Sequence, residues 1–444
     1  MKKPSETENE SYFKTVMILS LAIWLVVMNT TMFNVALPNI LRDFSITASE
    51  GAWVVSGYSI VLAICTITYT RLSDYLPIRR LIAAGILLFG LSSILGFFAE
   101  SYSLLLLARL MQAAGAAAIP GLSMVFASRF IPISNRGRAM ALIASASSLG
   151  FGLGPVVGGM ITEHLSWNYL FVVTLLVILL VPVLLRILPK EEVQKGRFDV
   201  IGAVLTGFSV TAFLLFLSTF NWFFFTGGIL MLSLLWLRIN KAELPFIQPA
   251  LVKDKSYRLL LYISFLGFLT HFAILLLMPL MLGGIFSINP SAIGFIIFPG
   301  AMFSAVAAIY VGRLIDRYGN YTVLLGAHGL LLISTVIFFF LSPLSEYWIM
   351  AGYMFTSFGF SSLSSSSTNE TSRILSKEYV GSGIGMKQLT HFVGSASGSV
   401  AGAILLEWNG DIFTTGDFQR AYLALIAAMA VSLILLFVYK RQVH

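Results

Sequence analysis

Thr70-Arg71-Leu72-Ser73-Asp74-Tyr75-Leu76-Pro77 and Gly312-Arg313-Leu314-Ile315-Asp316-Arg317-Tyr318-Gly319 are two versions of one short polar segment, each set between long apolar runs. A segment repeated in the same setting implies a chain built as two halves on one plan. In membrane carriers built this way, the substrate site lies at the interface of the repeats near the bilayer midplane.

The surrounding sequence fits that setting. The 444 residues are 57% apolar and 11% charged, with a mean hydropathy of +0.88, whereas soluble domains carry about a quarter charged residues. Apolar runs of about 20 residues recur, the length a helix needs to cross hydrocarbon. They predict fourteen spans, near 15–37, 51–70, 80–98, 102–127, 139–160, 168–187, 200–219, 222–237, 258–281, 292–311, 321–341, 347–367, 384–406 and 421–439. An even number puts both termini on one side. Of the 28 Lys and Arg residues, 24 fall on that same side, only Arg42 and Arg420 fall opposite, Arg109 lies within a span and Lys387 at the start of one. The positive-inside rule makes the side cytoplasmic, in a multi-pass protein of the cell membrane.

The expected organisation is an N-terminal six-helix half (1–198), an inserted helix pair (199–238), a cytoplasmic connector (239–257) and a C-terminal six-helix half (258–444). The connector mixes Lys and Pro with apolar residues and reads as amphipathic, lying on the membrane surface. Residues 1–11 are polar with no small-residue cleavage site after the first apolar run, so no cleaved signal peptide is expected. Cys65 is the single cysteine, which excludes an internal disulfide framework and a thiolate metal cluster. The net charge of +8 is spread over inter-helix connections, which argues against a nucleic-acid partner. No Walker loop, nucleophile elbow or metal motif points to an enzyme or a cofactor.

The repeated loops need tight turns and fixed charges. Gly319 can take positive φ, and Asp74 and Asp316 can face a helix N-terminus or a basic side chain. Arg109 lies several residues inside an apolar helix, where a guanidinium costs at least a few kcal/mol unless paired or wetted. Gln112 is its i,i+3 neighbour on one helix face. In span 5, Gly150, Gly154 and Gly158 form a side-chain-free seam for close helix approach, bordered by Gly159, and Pro155 bends the helix beside it.

These motifs resemble those of the major facilitator superfamily, and the chain is identified on them as an all-α integral membrane protein of that fold. The repeated segment resembles the family's signature loop, which implies a conformational latch made by Arg71, Asp74 and Arg79 in one copy and by Gly312, Arg313, Asp316, Arg317 and Gly319 in the other. The first copy has Thr70 and Pro77 where the family has glycines. Arg109-Leu110-Met111-Gln112-Ala113 resembles the Arg-x-x-Gln-Gly element of proton-coupled members, and Gly154-Pro155-Val156-Val157-Gly158-Gly159 the motif of antiporting exporters. Trp53 to Tyr58, Asn34 to Pro38 and Arg197 to Gly202 resemble the 14-span drug/proton antiporter branch. The run Gln112 to Pro120 and Asn135-Arg136-Gly137-Arg138 are similar to Gram-positive tetracycline efflux proteins.

One departure bears on mechanism. Many relatives in this branch carry a span 1 carboxylate five residues before the Asn of Asn-Val-Ala-Leu-Pro, and here that position is Asn29. A span 13 Glu of the tetracycline exporters aligns with Ser397. No Asp or Glu lies in the middle of any predicted span. Coupling candidates are therefore Arg109, Gln112, Glu370, His271 and His391, with His328 as a further histidine, since imidazole titrates near neutrality. Asn29, Thr30, Asn34, Tyr58 and Gln388 are candidates to line the substrate cavity. The expected function is export of an amphipathic, drug-like small molecule in exchange for protons by alternating access, with the bilayer as solvent and a monomer as the working unit. The alternative is export or uniport of a native metabolite or lipid without obligatory proton coupling.

Single-cysteine labelling in intact cells tests the topology: positions Asp43, Glu163 and Asp411 are expected to react from outside, and Arg136, Lys195, Lys253 and Arg441 only from inside. External labelling at position 253 would overturn the fourteen-span arrangement.

Overall fold

Inside hydrocarbon every backbone polar group must be bonded within the protein, which leaves helices as the spanning element for such a sequence. The computed structural model describes residues 6–46, 48–189, 191, 198–242, 245–288, 290–376, 378–407 and 414–443, and every element among them is helical. The N-terminal half comprises α1 (Glu6–Phe44), α2 (Ala48–Leu72), α3 (Ile78–Phe97), α4 (Tyr102–Ala116), α5 (Ala118–Phe130), α6 (Ile133–His164), α7 (Tyr169–Leu175) and α8 (Val181–Ile187). Helices α4 and α5 form one span, broken where Pro120 cannot donate to the Ala116 carbonyl. Between α7 and α8 the chain tightens to a 3-10 turn, Leu176–Leu180, just ahead of Pro182.

The inserted pair is α9 (Val200–Thr219) and α10 (Trp222–Lys241), and α11 (Pro249–Lys253) lies in the connector. Asp199 caps α9 by accepting from the Gly202 N–H at 3.0 Å, and Asn221 caps α10 by accepting from the Phe223 N–H at 2.9 Å. The C-terminal half comprises α12 (Lys255–Gly284), α13 (Pro290–Phe340), α14 (Glu346–Ile374), α15 (Val380–Glu407) and α16 (Thr415–Val443). Helix α13 holds two predicted spans, separated by Gly319 at φ 81°. That is the positive φ which the loop reading required.

Among the described residues, ten helical segments are long and apolar enough to span a membrane, and three shorter apolar ones lie at Gly57–Leu72, Val200–Phe213 and Ala292–Ser304. Helix α14 completes the predicted set; its serines lower its hydropathy. Large apolar side chains such as Leu91, Phe208, Trp222, Phe223, Phe295 and Ile434 point outward, where lipid covers them.

Lipid tails are as apolar as leucine, so helices here are held by close packing rather than by escape from water. Gly150, Gly154 and Gly158 of α6 press on the backbone of α1: a Cβ on Gly154 would lie 2.7 Å from the Met28 carbonyl oxygen, and one on Gly158 2.7 Å from that of Met32. Gly159 is half-buried beside them. Pro155 leaves the Phe151 carbonyl without its helical donor, and Thr31 Oγ1 of α1 donates to that carbonyl at 3.4 Å. A second seam, not read from the sequence, repeats this in the other half. Gly394, Gly398 and Gly402 of α15 face α12, and a Cβ on Gly398 would lie 2.9 Å from Leu269 Cα.

The halves meet on the face that carries the termini and most basic residues. There Gly381 and Gly385 of α15 abut Thr70 and Asp74, while Gly312 and Gly137 let α13 and α6 cross closely. Gly154→Leu should therefore push α1 and α6 apart, costing on the order of 1–3 kcal/mol. The expected outcome is normal membrane insertion with a lowered Tm and lost transport. An unchanged Tm in detergent would contradict the close contact.

Candidate functional site

Arg109 of α4 is fully buried, the largest side chain so enclosed. Its Nη1 donates to Asn29 Oδ1 at 2.8 Å and to Gln112 Oε1 at 2.6 Å, and its Nε donates to the Val54 carbonyl at 3.3 Å. The rings of Phe33 and Tyr58 each lie 4.0 Å from Cζ. A desolvated cation–π contact is worth about 2 kcal/mol, so this aromatic pair supplies much of what a carboxylate would otherwise provide. Gln112 is itself fixed: its Nε2 donates to Ser93 Oγ at 2.8 Å and Thr174 Oγ1 at 3.2 Å, which turns Oε1 toward the guanidinium. Helices α1, α2, α3, α4 and α7 thus converge on one cation.

Every hydrogen-bond acceptor in this cage is neutral. Asn29 occupies the position of the missing span 1 carboxylate and keeps its oxygen but not its charge. Arg109 Nη2 and Asn29 Nδ2 are buried donors without an acceptor among the described residues. Tyr58 thus lies in the cage; Thr30 is turned to the Val26 carbonyl at 3.5 Å, and the side chain of Asn34 lies outside the described residues.

The C-terminal candidates form a second cluster. The His391 ring stacks on Phe268 with centroids 3.5 Å apart, and His271 on Phe360 at 3.8 Å. Phe268 and Phe360 meet at 4.8 Å, and Phe272 meets Phe151 of the N-terminal half at 5.5 Å. His271 Nδ1, His391 Nε2 and Gln388 Oε1 are buried without hydrogen-bond partners among the described residues. His328 differs, with both ring nitrogens against backbone carbonyls of Leu324 and Ile263. Glu370 lies in a separate network: Arg373 donates to both its oxygens at 2.8 and 2.7 Å, Tyr439 at 2.6 Å and Asn320 at 2.8 Å.

Lys387 was placed at the start of a span by the sequence, because the serine- and glycine-rich stretch around 380 obscures where α15 begins. The helix starts at Val380, and Lys387 is fully buried within it. Its four-residue spacing from His391 was the available signal.

At the basic face, Asp74 is held between two guanidiniums, accepting from Arg71 at 2.6 Å and Arg129 at 2.9 Å. Ser382 of the other half donates to Asp74 at 3.2 Å and accepts from Arg71 at 2.9 Å. Burial pushes the Asp74 carboxyl up from the ordinary value, although both arginines and the Arg71 and Ser382 hydrogen bonds act the other way. Arg129, which sequence reading left out of the latch, makes the contact expected of Arg79; Arg79 itself is half-buried and, like Arg313 and Arg317, forms no ion pair among the described residues. Thr70, at an expected glycine, is accommodated because Gly385 opposite it has no side chain. In the second copy, Asp316 accepts from the backbone N–H groups of Gly137 and Arg138, and Gly312 meets the Arg138 backbone.

A parallel pair serves the inserted helices. Asp199 accepts from Arg238 at 3.0 Å and from the Phe246 N–H at 3.1 Å. Burial pushes its carboxyl up, but these bonds and that from the Gly202 N–H outweigh it and hold it below the ordinary carboxylate value.

Duplicated six-helix halves around buried polar clusters, sealed at one face by a charged loop, define a facilitator-type carrier. The family model of the Major Facilitator Superfamily matches residues 19–386 and 260–444, and the chain belongs to that family. It is a multi-pass membrane transporter and not an enzyme. The multidrug resistance protein Stp of Mycobacterium tuberculosis is 26% identical over 414 residues, 90% of this chain and 77% of that one. The multidrug efflux pump LfrA of Mycolicibacterium smegmatis is 30% identical over 320 residues, 69% and 63% of the two chains. The riboflavin transporter RibZ of Clostridioides difficile is 26% identical over 327 residues, 72% of each. Among solved structures, the human organic anion transporter MFSD10 (TETRAN) superposes with a TM-score of 0.75 at 17% identity, covering 98% of this chain and all of that one.

Asp74→Asn should free both arginines and loosen the seal. In a Cys65→Ser background, Ser382→Cys is expected to react with maleimide about tenfold faster once Asp74 is replaced, in line with loss of a hydrogen-bonded buried charge pair. Equal rates would show that the ionic cluster does not hold the halves together.

Proposed function

We propose that this transporter exports an amphipathic, drug-like compound in exchange for protons, by rocking of the halves 1–198 and 258–444 about the interface between them. The observation that carries the reading is the Arg109 cage: a fully buried cation, ringed by neutral acceptors, with two donors left open beside it. Keeping a guanidinium in hydrocarbon costs several kcal/mol even when partly solvated by dipoles, and a fixed positive centre acts on any proton or charge that enters the cavity. Proton binding then falls to the titratable groups with open atoms, His271 and His391, rather than to a span carboxylate; Glu370 is tied to Arg373, Tyr439 and Asn320 in the present conformation.

The positive-inside bias supports cytoplasmic termini in the cell membrane. On that orientation the described conformation is sealed toward the cytoplasm by α2 against α15 and α6 against α13. The aromatic surfaces of Phe268, Phe272, Phe360 and Phe151 suit flat, apolar substrate bodies, tetracycline-like compounds included, and the multidrug names of the relatives agree. A second reading, export of a native metabolite without obligatory coupling, is favoured by Asn29 at the acid position and by a relative named as a riboflavin transporter. Proteoliposomes with an imposed pH gradient separate the two, since only the first requires flux to follow the gradient.

In that assay Arg109→Ala is expected to abolish gradient-driven dye flux, and Arg109→Lys, which keeps the charge but not the planar fork, to retain about a tenth or less. Normal, pH-responsive flux in Arg109→Ala would remove the cage from the mechanism.

A further inference from the structure

Lys387 is left over from this account. Its ammonium is fully buried in α15 and donates to Thr368 Oγ1 of α14. Thr368 in turn lies 3.8 Å from Met124 Sδ of α5, so the ammonium sits where the C-terminal half meets the N-terminal half. An ammonium carries three donors, and Thr368 is its one hydrogen-bond acceptor among the described residues. None of the ion pairs among the described residues includes it. One turn along α15, buried His391 keeps Nε2 open, and the adjacent Gln388, also buried, keeps Oε1 open, both among the described residues. The ring of His391 lies flat on Phe268, which adjoins Phe360. An ammonium, a hydroxyl and an imidazole edge therefore border an aromatic wall.

An isolated ammonium in such surroundings costs several kcal/mol, and one neutral hydroxyl does not offset that. With Arg109, Lys387 makes two buried cations that, among the described residues, have no acid opposite them, unlike Arg71 with Asp74. A cationic guest meets repulsion there, whereas an anionic guest supplies the missing counter-charge. Thr368 donates its own hydroxyl proton to the Ser364 carbonyl at 2.7 Å and so positions the ammonium rather than contacting a guest. We propose that Lys387, positioned by Thr368 and flanked by His391, binds the anionic group of the transported compound, a carboxylate or sulfonate on an aromatic body. This deepens the export reading and rests on it: the site is reached when α15 parts from α5 as the halves move.

Fluorescein and rhodamine 6G share a xanthene ring and differ in charge, and their binding to the purified full-length protein in nanodiscs can be read by fluorescence anisotropy. Fluorescein is expected to bind more tightly than rhodamine 6G. Lys387→Gln should raise the Kd for fluorescein by about tenfold or more, the scale of one lost charge-assisted contact, and leave that for rhodamine 6G no higher than in the wild type, since a repulsive charge is removed. Lys387→Arg, which keeps the charge and cannot release a proton, should bind fluorescein within about threefold of wild type. Equal fluorescein affinity in wild type and Lys387→Gln would overturn the proposal, and so would parallel loss of both dyes or stronger binding of rhodamine 6G by the wild type. Melting temperatures of the variants, measured beforehand, identify any that fail to fold, and Thr368→Val then tests the same site from α14, with a weaker fluorescein-selective loss expected. The export reading is judged apart from this by whether the wild-type protein moves fluorescein across proteoliposomes in response to an imposed pH gradient, a readout that does not depend on the Kd shift in Lys387→Gln.

Discussion

Helices surrounded by lipid gain little from hiding leucines from one another, so contact between backbones is what this structure depends on. Glycines at every fourth position of α6 and of α15 bring α1 and α12 within touching distance. Each contact places one helix of a half rigidly against another, and the pseudo-repeat of the chain reappears as a repeat of seams. The same device, used sparingly at Gly381, Gly385, Gly137 and Gly312, lets the halves approach each other at the basic face. Within a half the glycines line a contact of about two helical turns; between halves they allow close approach near one end. On the proposed rocking of the halves, that difference in extent would separate what moves together from what moves apart.

Charge is arranged on the same plan. Toward the membrane surface several acids are matched by bases: Asp74 with Arg71 and Arg129, Asp199 with Arg238, Glu370 with Arg373. Deeper, the matching stops. Arg109 is stabilised by oxygen dipoles and ring faces, and Lys387 by a hydroxyl. A side-chain carboxylate at position 29 would have closed the arginine cage into a neutral pair; the asparagine keeps the geometry of that pair and leaves its charge uncompensated.

Much of this was legible in the sequence, because hydrocarbon imposes simple rules. Span lengths, the basic bias and the repeated loop follow from membrane thickness and topology, and all of the predicted spans correspond to helices. Arg109 and Gln112 were readable as one helix face from their i,i+3 spacing. What the sequence did not yield depends on contacts between distant segments. Nothing local distinguishes Arg129 from Arg79 as the partner of Asp74, or shows that the α6 glycines meet α1 rather than the opposite half. Lys387 was missed for another reason: where serines and glycines flank a span, hydropathy changes slowly and the helix start slides by several residues, enough to move a buried ammonium to the apparent surface.

The serine run of α14 has a mechanical corollary. Ser365, Ser366 and Ser367 donate to carbonyls one turn earlier on their own helix, those of Ser361, Ser362 and Leu363. Only Ser365 also reaches across to α6, at the Met140 carbonyl, at a long 3.4 Å. A hydroxyl that is satisfied by its own helix keeps its bond whether the neighbouring half is near or far. At these three positions the surface is polar in composition but asks little of its partner, so it can separate and re-form without stranding their donors in the dry middle of the membrane. On the proposed rocking of the halves, α14 would act as a low-friction bearing, with the resistance to opening concentrated in the ionic cluster at the rim.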